Sequence, residues 1–279
     1  MQVKKMIDAT TFVYGIIGNP VAHSLSPVMH NRAFESIGFN GVYTAFKVDD
    51  PDVEAAVSGI RALGIKGVSV TIPHKISVMN FLDEVEDSAR RIGAVNTIVN
   101  RDGRLKGCNT DGMGAVRALK EKTTLKGRAV MLVGAGGAAR SIGFAVQDEG
   151  ARVVVVNRTA ARGKKLATDL NADFFPLSGS DLPKCDILIN TTSVGMTPDS
   201  SQLPVPTHYL EKGMVVMDIV YHPLKTRLLM EAKRAGCVTV DGLSMLIYQG
   251  ALQFELWTER QAPVNVMREA ALNVLNRER

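Results

Sequence analysis

The sequence has 279 residues, 46% hydrophobic and 22% charged, a composition that suits two folded domains and excludes a disordered chain. Its 33 Lys and Arg are interleaved with 28 Asp and Glu, so the net charge of +5 argues against a nucleic-acid groove and suits anionic ligands. No run reaches the ~18 apolar residues of a membrane span. Residues 1–8 lack the apolar core of a signal peptide, which makes a cytoplasmic enzyme the expectation.

Apolar, β-rich runs bounded by turn residues predict strands over 12–17, 42–48, 67–71 and 95–99. Between them, Met29, Ala33, Phe34 and Ile37 share one helical face, with Ser26 expected as N-cap and Pro27 at the first helical position. A second helix is predicted over 52–63. This alternation implies βαβ units and a largely parallel sheet. After the polar stretch 120–127 the pattern starts afresh. Residues 129–133 and 152–156 are unbroken apolar runs, as expected where helices cover both faces of a parallel sheet. Further strands are predicted at 187–189, 214–217 and 238–240, and two long helices at 243–259 and 264–277 close the chain. Cys108, Cys185 and Cys237 are odd in number and far apart, so neither a disulfide framework nor a zinc ribbon is expected.

The strand at 129–133 runs directly into Gly134-Ala135-Gly136-Gly137-Ala138-Ala139, followed by a helical pattern. This is G-x-G-x-x-A in the strand–turn–helix setting that gives it meaning. The first glycine permits the tight turn, the second admits a pyrophosphate to the backbone, and the small Ala139 keeps helix and strand close. A dinucleotide is therefore expected here, its phosphates at a helix N-terminus. The next strand ends Asn157-Arg158-Thr159 with no acid for a ribose 2′-hydroxyl. Arg158 is instead suited to pair with a 2′-phosphate, so the cofactor expected is NADP.

Three polar loops follow strands in the first half. One carries Ser24 and Ser26, another Thr71 and Lys75, and the third runs from Asn96 through Asn109 and Thr110 to Asp111. In open α/β sheets ligands sit beyond the carboxyl ends of the strands, so these loops are candidates to gather around a small polyhydroxylated acid. Simpler roles are also open to them, Asp111 as a helix cap and Lys75 as a solvated cation. His23, His74 and His222 lack metal-ligand spacing and are expected to be structural.

These segments together resemble the shikimate dehydrogenases. The resemblance covers nearly the whole chain, in family order, through His23-Ser24-Leu-Ser26-Pro, Val70-Thr71-Ile-Pro-His-Lys75, Gly93-Ala-Val-Asn96, Asn109-Thr-Asp111, residues 134–140, Asn157-Arg-Thr159, Asp218-Ile-Val-Tyr221 and Gly242-Leu-Ser-Met-Leu-Ile-Tyr-Gln249. It implies an α/β protein with an N-terminal mixed-sheet substrate domain and a C-terminal Rossmann-like, doubly wound NADP domain. The substrate domain would comprise residues 1–112 with 243–279, and the NADP domain 113–242. The implied reaction is NADP-dependent interconversion of 3-dehydroshikimate and shikimate in aromatic amino-acid biosynthesis.

Carried over residue by residue, Ser24 and Ser26 would hold the carboxylate. Thr71, Lys75, Asn96, Asp111 and Gln249 would face the ring hydroxyls, Tyr221 would lie near the substrate, and Gly242 near the nicotinamide. Hydride addition to a ketone leaves charge on oxygen, which the Lys75 ammonium would stabilise and protonate while Asp111 orients it. The partners expected are this small molecule and, as an open option, a second copy of the chain, with no nucleic acid and no membrane. Two alternatives are a quinate/shikimate dehydrogenase of relaxed substrate and cofactor choice, and an NADP-binding sensor without catalysis. A sensor would have no need of Lys75 and Asp111.

Overall fold

The computed structural model describes residues 7–178 and 182–277. The chain forms, in order, β1 (Phe12–Gly18), α1 (Ser26–Ser36), β2 (Gly41–Lys47), α2 (Val53–Ala62), β3 (Gly67–Val70), β4 (Glu84–Val85), α3 (Asp87–Ile92), β5 (Thr97–Arg101), β6 (Arg104–Cys108) and α4 (Asp111–Lys120). It continues with β7 (Ala129–Val133), α5 (Gly137–Asp148), β8 (Arg152–Asn157), α6 (Ala160–Leu170), β9 (Asp173–Pro176), β10 (Ile187–Asn190), β11 (Val215–Asp218), α7 (Arg227–Arg234), β12 (Val238–Val240), α8 (Gly242–Thr258) and α9 (Val264–Arg277). These elements form two compact units. Thr110 ends the first segment of one unit and Gln249 opens its second, while Asp111–Tyr248 form the other.

The first unit is built on a mixed sheet in the order β2-β1-β3-β5-β6-β4. Strands β1, β2 and β3 run parallel, as the βαβ pattern demands, but β3 pairs antiparallel with β5, and β5 with β6. The largely parallel sheet read from strand–helix alternation is thus corrected by a hairpin, and the mixed sheet that the resemblance implied is the one found. Asp102 and Gly103 make that hairpin's turn with φ of 50° and 87°, the left-handed pair that matches strand twist. One face of the sheet carries a core of Val57, Ile60, Val68, Val78, Ile98 and Leu105. Elsewhere in the unit Tyr14, Phe34, Tyr43, Phe254 and Trp257 pack ring on ring, and α9 lies on α1. His30 stacks on Tyr43 at 4.5 Å, and burial drives its pKa down to about 3, so the ring packs as a neutral aromatic.

One local expectation fails here. Ser26 does not cap α1 but begins it, and Leu25 holds the cap position without a side-chain hydrogen bond. Ser24 replaces it: its Oγ accepts from the Ser26 N–H at 3.2 Å, satisfying one of the unpaired amides of the first turn. Pro27 is in the first turn, as its fixed φ favours.

The second unit holds a parallel sheet in the order β12-β11-β10-β7-β8-β9, the doubly wound arrangement. Successive strands from β7 step one way through β8 and β9, and the chain then returns to the other side of β7 with β10. The switch point is the β7/β10 pair. Residues 130–133 and the whole of β10 are buried, explaining the unbroken apolar runs in their sequences. Within this unit Gly112 packs against α5, where a Cβ would meet the Ser141 carbonyl oxygen at 2.3 Å. Asp111 therefore opens a helix seated directly on the one that follows the glycine turn.

Candidate active site

The first unit gathers its polar loops at the carboxyl ends of β1 and β3. Thr71 N–H donates to Ile17 O at 3.0 Å, and Asn19 N–H to Ile72 O at 2.9 Å. Gly18 makes this approach feasible, since a Cβ there would lie 2.3 Å from Thr71 Cγ2. The loop with Ser24 and Ser26 thus leaves β1 beside the loop with Thr71 and Lys75. Val95 N–H donates to Lys75 O at 2.7 Å and Val70 N–H to Asn96 O at 2.8 Å, so the lysine-bearing loop is also tied to the start of β5. His74, fully buried, pairs through Nε2 with Val48 O at 2.7 Å and places Nδ1 3.2 Å from Asp50. It is a structural histidine, one that anchors the turn next to Lys75.

Asn96 is held at both ends of its amide. Its Oδ1 accepts from Thr110 N–H at 2.8 Å and from Thr97 Oγ1 at 2.6 Å, while Nδ2 donates to Thr110 Oγ1 at 2.9 Å and to Gln249 Oε1 at 3.5 Å. Losing one partner of a buried pair leaves the other unsatisfied at a cost of about 1–3 kcal/mol, so these amides are strongly constrained. Ser24, Ser26, Thr71, Lys75, Asn96 and Gln249 therefore all belong to one unit and to adjoining strand ends and helix α8. Together they offer hydroxyls, amides and an ammonium, donors suited to an anionic, hydroxylated ligand.

The second unit carries the dinucleotide features. A cavity at the switch point is lined by Val133, Gly134, Ala135 and Gly136 from the turn after β7, by Asn157, Arg158, Thr159 and Arg162 after β8, and by residues 191–194 after β10. Gly134 has φ of +118°, and a Cβ there would meet Thr191 Oγ1 at 2.5 Å, so this position is closed to other residues. Nothing lies within 4 Å of a Cβ built at Gly136 or Gly137. Packing does not demand glycine at those two positions, whereas a phosphate approaching the backbone would. Ala139 is fully buried and serves the helix–strand packing rather than the cavity, and Gly137 and Ala138 form the first turn of α5.

The residues fit NADP. The open first turn of α5 suits a pyrophosphate, and the exposed Arg158, with Arg162 one helical turn on, suits a 2′-phosphate. Asn157 Nδ2 donates to Thr159 O at 2.8 Å and shapes that corner. Sequence reasoning missed Arg162 and the threonines. Their signals were a second arginine four residues after the first and the polar run Asn190-Thr-Thr-Ser193 directly after an apolar strand.

Also in this unit, Asp218 ends β11 fully buried. Its carboxylate accepts from Asn190 Nδ2 at 2.9 Å, Val220 N–H at 3.1 Å and Thr226 Oγ1 at 2.6 Å, while burial pushes its pKa up. Thr226 in turn caps α7 through Leu229 N–H, so both ends of the loop bearing Tyr221 are pinned. Burial raises the pKa of the Tyr221 phenol. Gly242, at the start of α8, passes the same loop so closely that a Cβ would meet Ile219 O at 2.4 Å. Among the described residues no cluster of His, Cys, Asp and Glu could hold a metal, and no helix is long and apolar enough to cross a membrane.

Residues 16–98 match the model of the shikimate dehydrogenase substrate binding domain, 117–219 that of shikimate/quinate 5-dehydrogenase, and 242–272 that of the shikimate 5′-dehydrogenase C-terminal domain. The shikimate dehydrogenase (NADP(+)) of Thermococcus kodakarensis is 48% identical over 276 residues, covering 96% of this chain and 98% of its own. A crystal structure of a shikimate dehydrogenase in complex with NADP+ superimposes with a TM-score of 0.94 at 43% identity, covering 98% of this chain and 99% of that one. Another, from Thermus thermophilus with NADP(H) and shikimate, gives 0.88 at 40% identity, with 94% and 99% covered.

Proposed function

This chain belongs to the shikimate dehydrogenase family, and from that footing we propose how its own residues perform the reaction. It is an NADP-dependent oxidoreductase that reversibly reduces 3-dehydroshikimate to shikimate, a step of aromatic amino-acid biosynthesis. The observation that carries the assignment of roles is the sorting of chemistry by unit. One unit collects hydroxyl, amide and ammonium donors at adjoining strand ends, and the other presents an open glycine turn with two arginines.

Ser24 and Ser26 bind the substrate carboxylate. Ser24 accepts from the Ser26 N–H, which leaves its own hydroxyl proton as a donor. Thr71, Asn96 and Gln249 orient the ring hydroxyls, and Tyr221 and Gly242 lie toward the reacting end. Residues 134–138 with Asn157, Arg158 and Thr159 would hold the cofactor, which would supply a hydride as NADPH in reduction and accept one as NADP+ in oxidation. Lys75 Nζ stabilises the oxygen that becomes negative during reduction and gives it a proton. In oxidation Lys75 takes that proton back from the hydroxyl. Asp111 is assigned the role of orienting the ammonium and the reacting hydroxyl, so that the two residues act as one acid/base unit. We place the enzyme in the cytoplasm.

Kinetics test the pairing. General acid–base groups contribute ~10²–10⁴-fold, so Lys75→Ala should lower kcat by about that factor with the Kd for NADP unchanged. Asp111→Asn should be severely impaired as well, and the double variant should be little worse than the poorer single one, because residues acting as a unit are non-additive. Full multiplication of the two losses would instead make Asp111 a separate substrate ligand.

A further inference from the structure

Gln253 lies one helical turn beyond Gln249 on α8, is 1% exposed, and has no part in the chemistry above. A buried amide persists only where its polar atoms are paired, and here all of them are. Nε2 donates to Asn96 O at 3.2 Å and to Thr97 Oγ1 at 3.0 Å, and Oε1 accepts from Ser69 Oγ at 2.8 Å. A backbone carbonyl can only accept, so the NH2 end must face Asn96 and the amide has one orientation.

That orientation sets the direction of every hydrogen bond around it. Ser69, having given its proton to Gln253, must accept from the Tyr43 hydroxyl, 2.7 Å away. On the other side Thr97 accepts from Gln253 and so donates to Asn96 Oδ1. With Thr110 N–H donating to the same oxygen, Asn96 Nδ2 is directed at Thr110 Oγ1 and Gln249 Oε1. The NH2 of Gln249 is then the end opposite Asn96.

We infer that Gln253 is a positioning residue for the reaction: one buried amide sets the donor–acceptor polarity of the polar chain that runs from Tyr43 to Gln249. The inference rests on the reading that Asn96 and Gln249 face the substrate.

The test compares wild-type enzyme with Gln253→Met, Ser69→Ala and Val57→Ala by steady-state kinetics and thermal unfolding. Gln253→Met keeps the length of the side chain and removes the polarity. Misplacing substrate-orienting groups by an ångström costs up to about a hundredfold, so kcat/KM for shikimate should fall at least tenfold, mostly through KM, with the Kd for NADP unchanged. Val57→Ala, a cavity under the buried face of α2, should lose stability with kcat/KM unchanged. Ser69→Ala leaves Gln253 in place but removes the group that holds its Oε1, and it should move kcat/KM in the same direction by a smaller factor. It carries the test if Gln253→Met does not fold. A folded Gln253→Met, or in its absence a folded Ser69→Ala, with wild-type kcat/KM would overturn the inference. A wild-type enzyme inert toward shikimate would instead overturn the functional reading, and this inference with it.

Discussion

Arg158 shows how far a single position can be read. A strand end without an acid, followed by an arginine, was sufficient to expect NADP, because a carboxylate there would repel a 2′-phosphate. A hydrogen bond to a charged group contributes ~1.5–3 kcal/mol, and about 1.4 kcal/mol is a factor of ten. Arg158→Ala should therefore weaken NADP roughly ten- to a hundredfold in a binding titration and leave NAD nearly unaffected; equal weakening of both would remove Arg158 from the 2′-phosphate. Arg162, which lines the same cavity, should keep the loss at the lower end of that range. Ser26 shows the opposite outcome. A serine before Pro-Val-Met reads as a cap, yet the helix begins on it, because Ser24 two residues upstream accepts its amide. Cap rules describe which orphan amide needs an acceptor, and more than one nearby hydroxyl can answer. His74 is buried, and its bond to Val48 joins segments 26 residues apart and leaves no local trace.

The elements with strong periodicity were legible, and the missed ones share a physical reason. Strands β7, β8 and β10 are buried on both faces, so their apolar runs are unmistakable. Strand β6, reading Arg-Leu-Lys-Gly-Cys, is polar where it meets solvent, and β4 and β9 have two and four residues. The Asp102-Gly103 turn is the one local signal for the β5–β6 hairpin, and strand–helix alternation alone does not carry it. The glycine turn after β7 allows a sharper test of element against ligand. Gly136 has φ of −90° with open space around its Cβ position, so Gly136→Ala should leave the apo Tm unchanged or slightly higher while weakening NADP at least tenfold. Gly134→Ala, at φ +118° and against Thr191, should lower the Tm itself. If Gly136→Ala binds NADP as well as wild type does, the turn does not carry the pyrophosphate.

At the level of the molecule, the sheet order of the second unit follows from a repeated strand–helix grammar, whereas the composition of the first depends on contacts that no local pattern announces. Ser69 and Gln253 are 184 residues apart, and Trp257 lies so close to Gly67 that a Cβ there would sit 2.3 Å from the indole. The return of the last helices to the first unit was expected from the family resemblance, not from periodicity. What long-range folding accomplishes is to gather Ser24, Ser26, Thr71, Lys75, Asn96 and Gln249 in one unit and the glycine turn with Arg158 and Arg162 in the other. The central claim is that this sorting serves NADP-dependent turnover of shikimate. Its most direct test follows reduced-cofactor absorbance for the purified full chain with shikimate or quinate, each against NADP and NAD. Shikimate with NADP should give the highest kcat/KM of the four combinations, with NAD at least tenfold poorer. No turnover of shikimate with NADP, or a clear preference for quinate with NAD, would contradict the account.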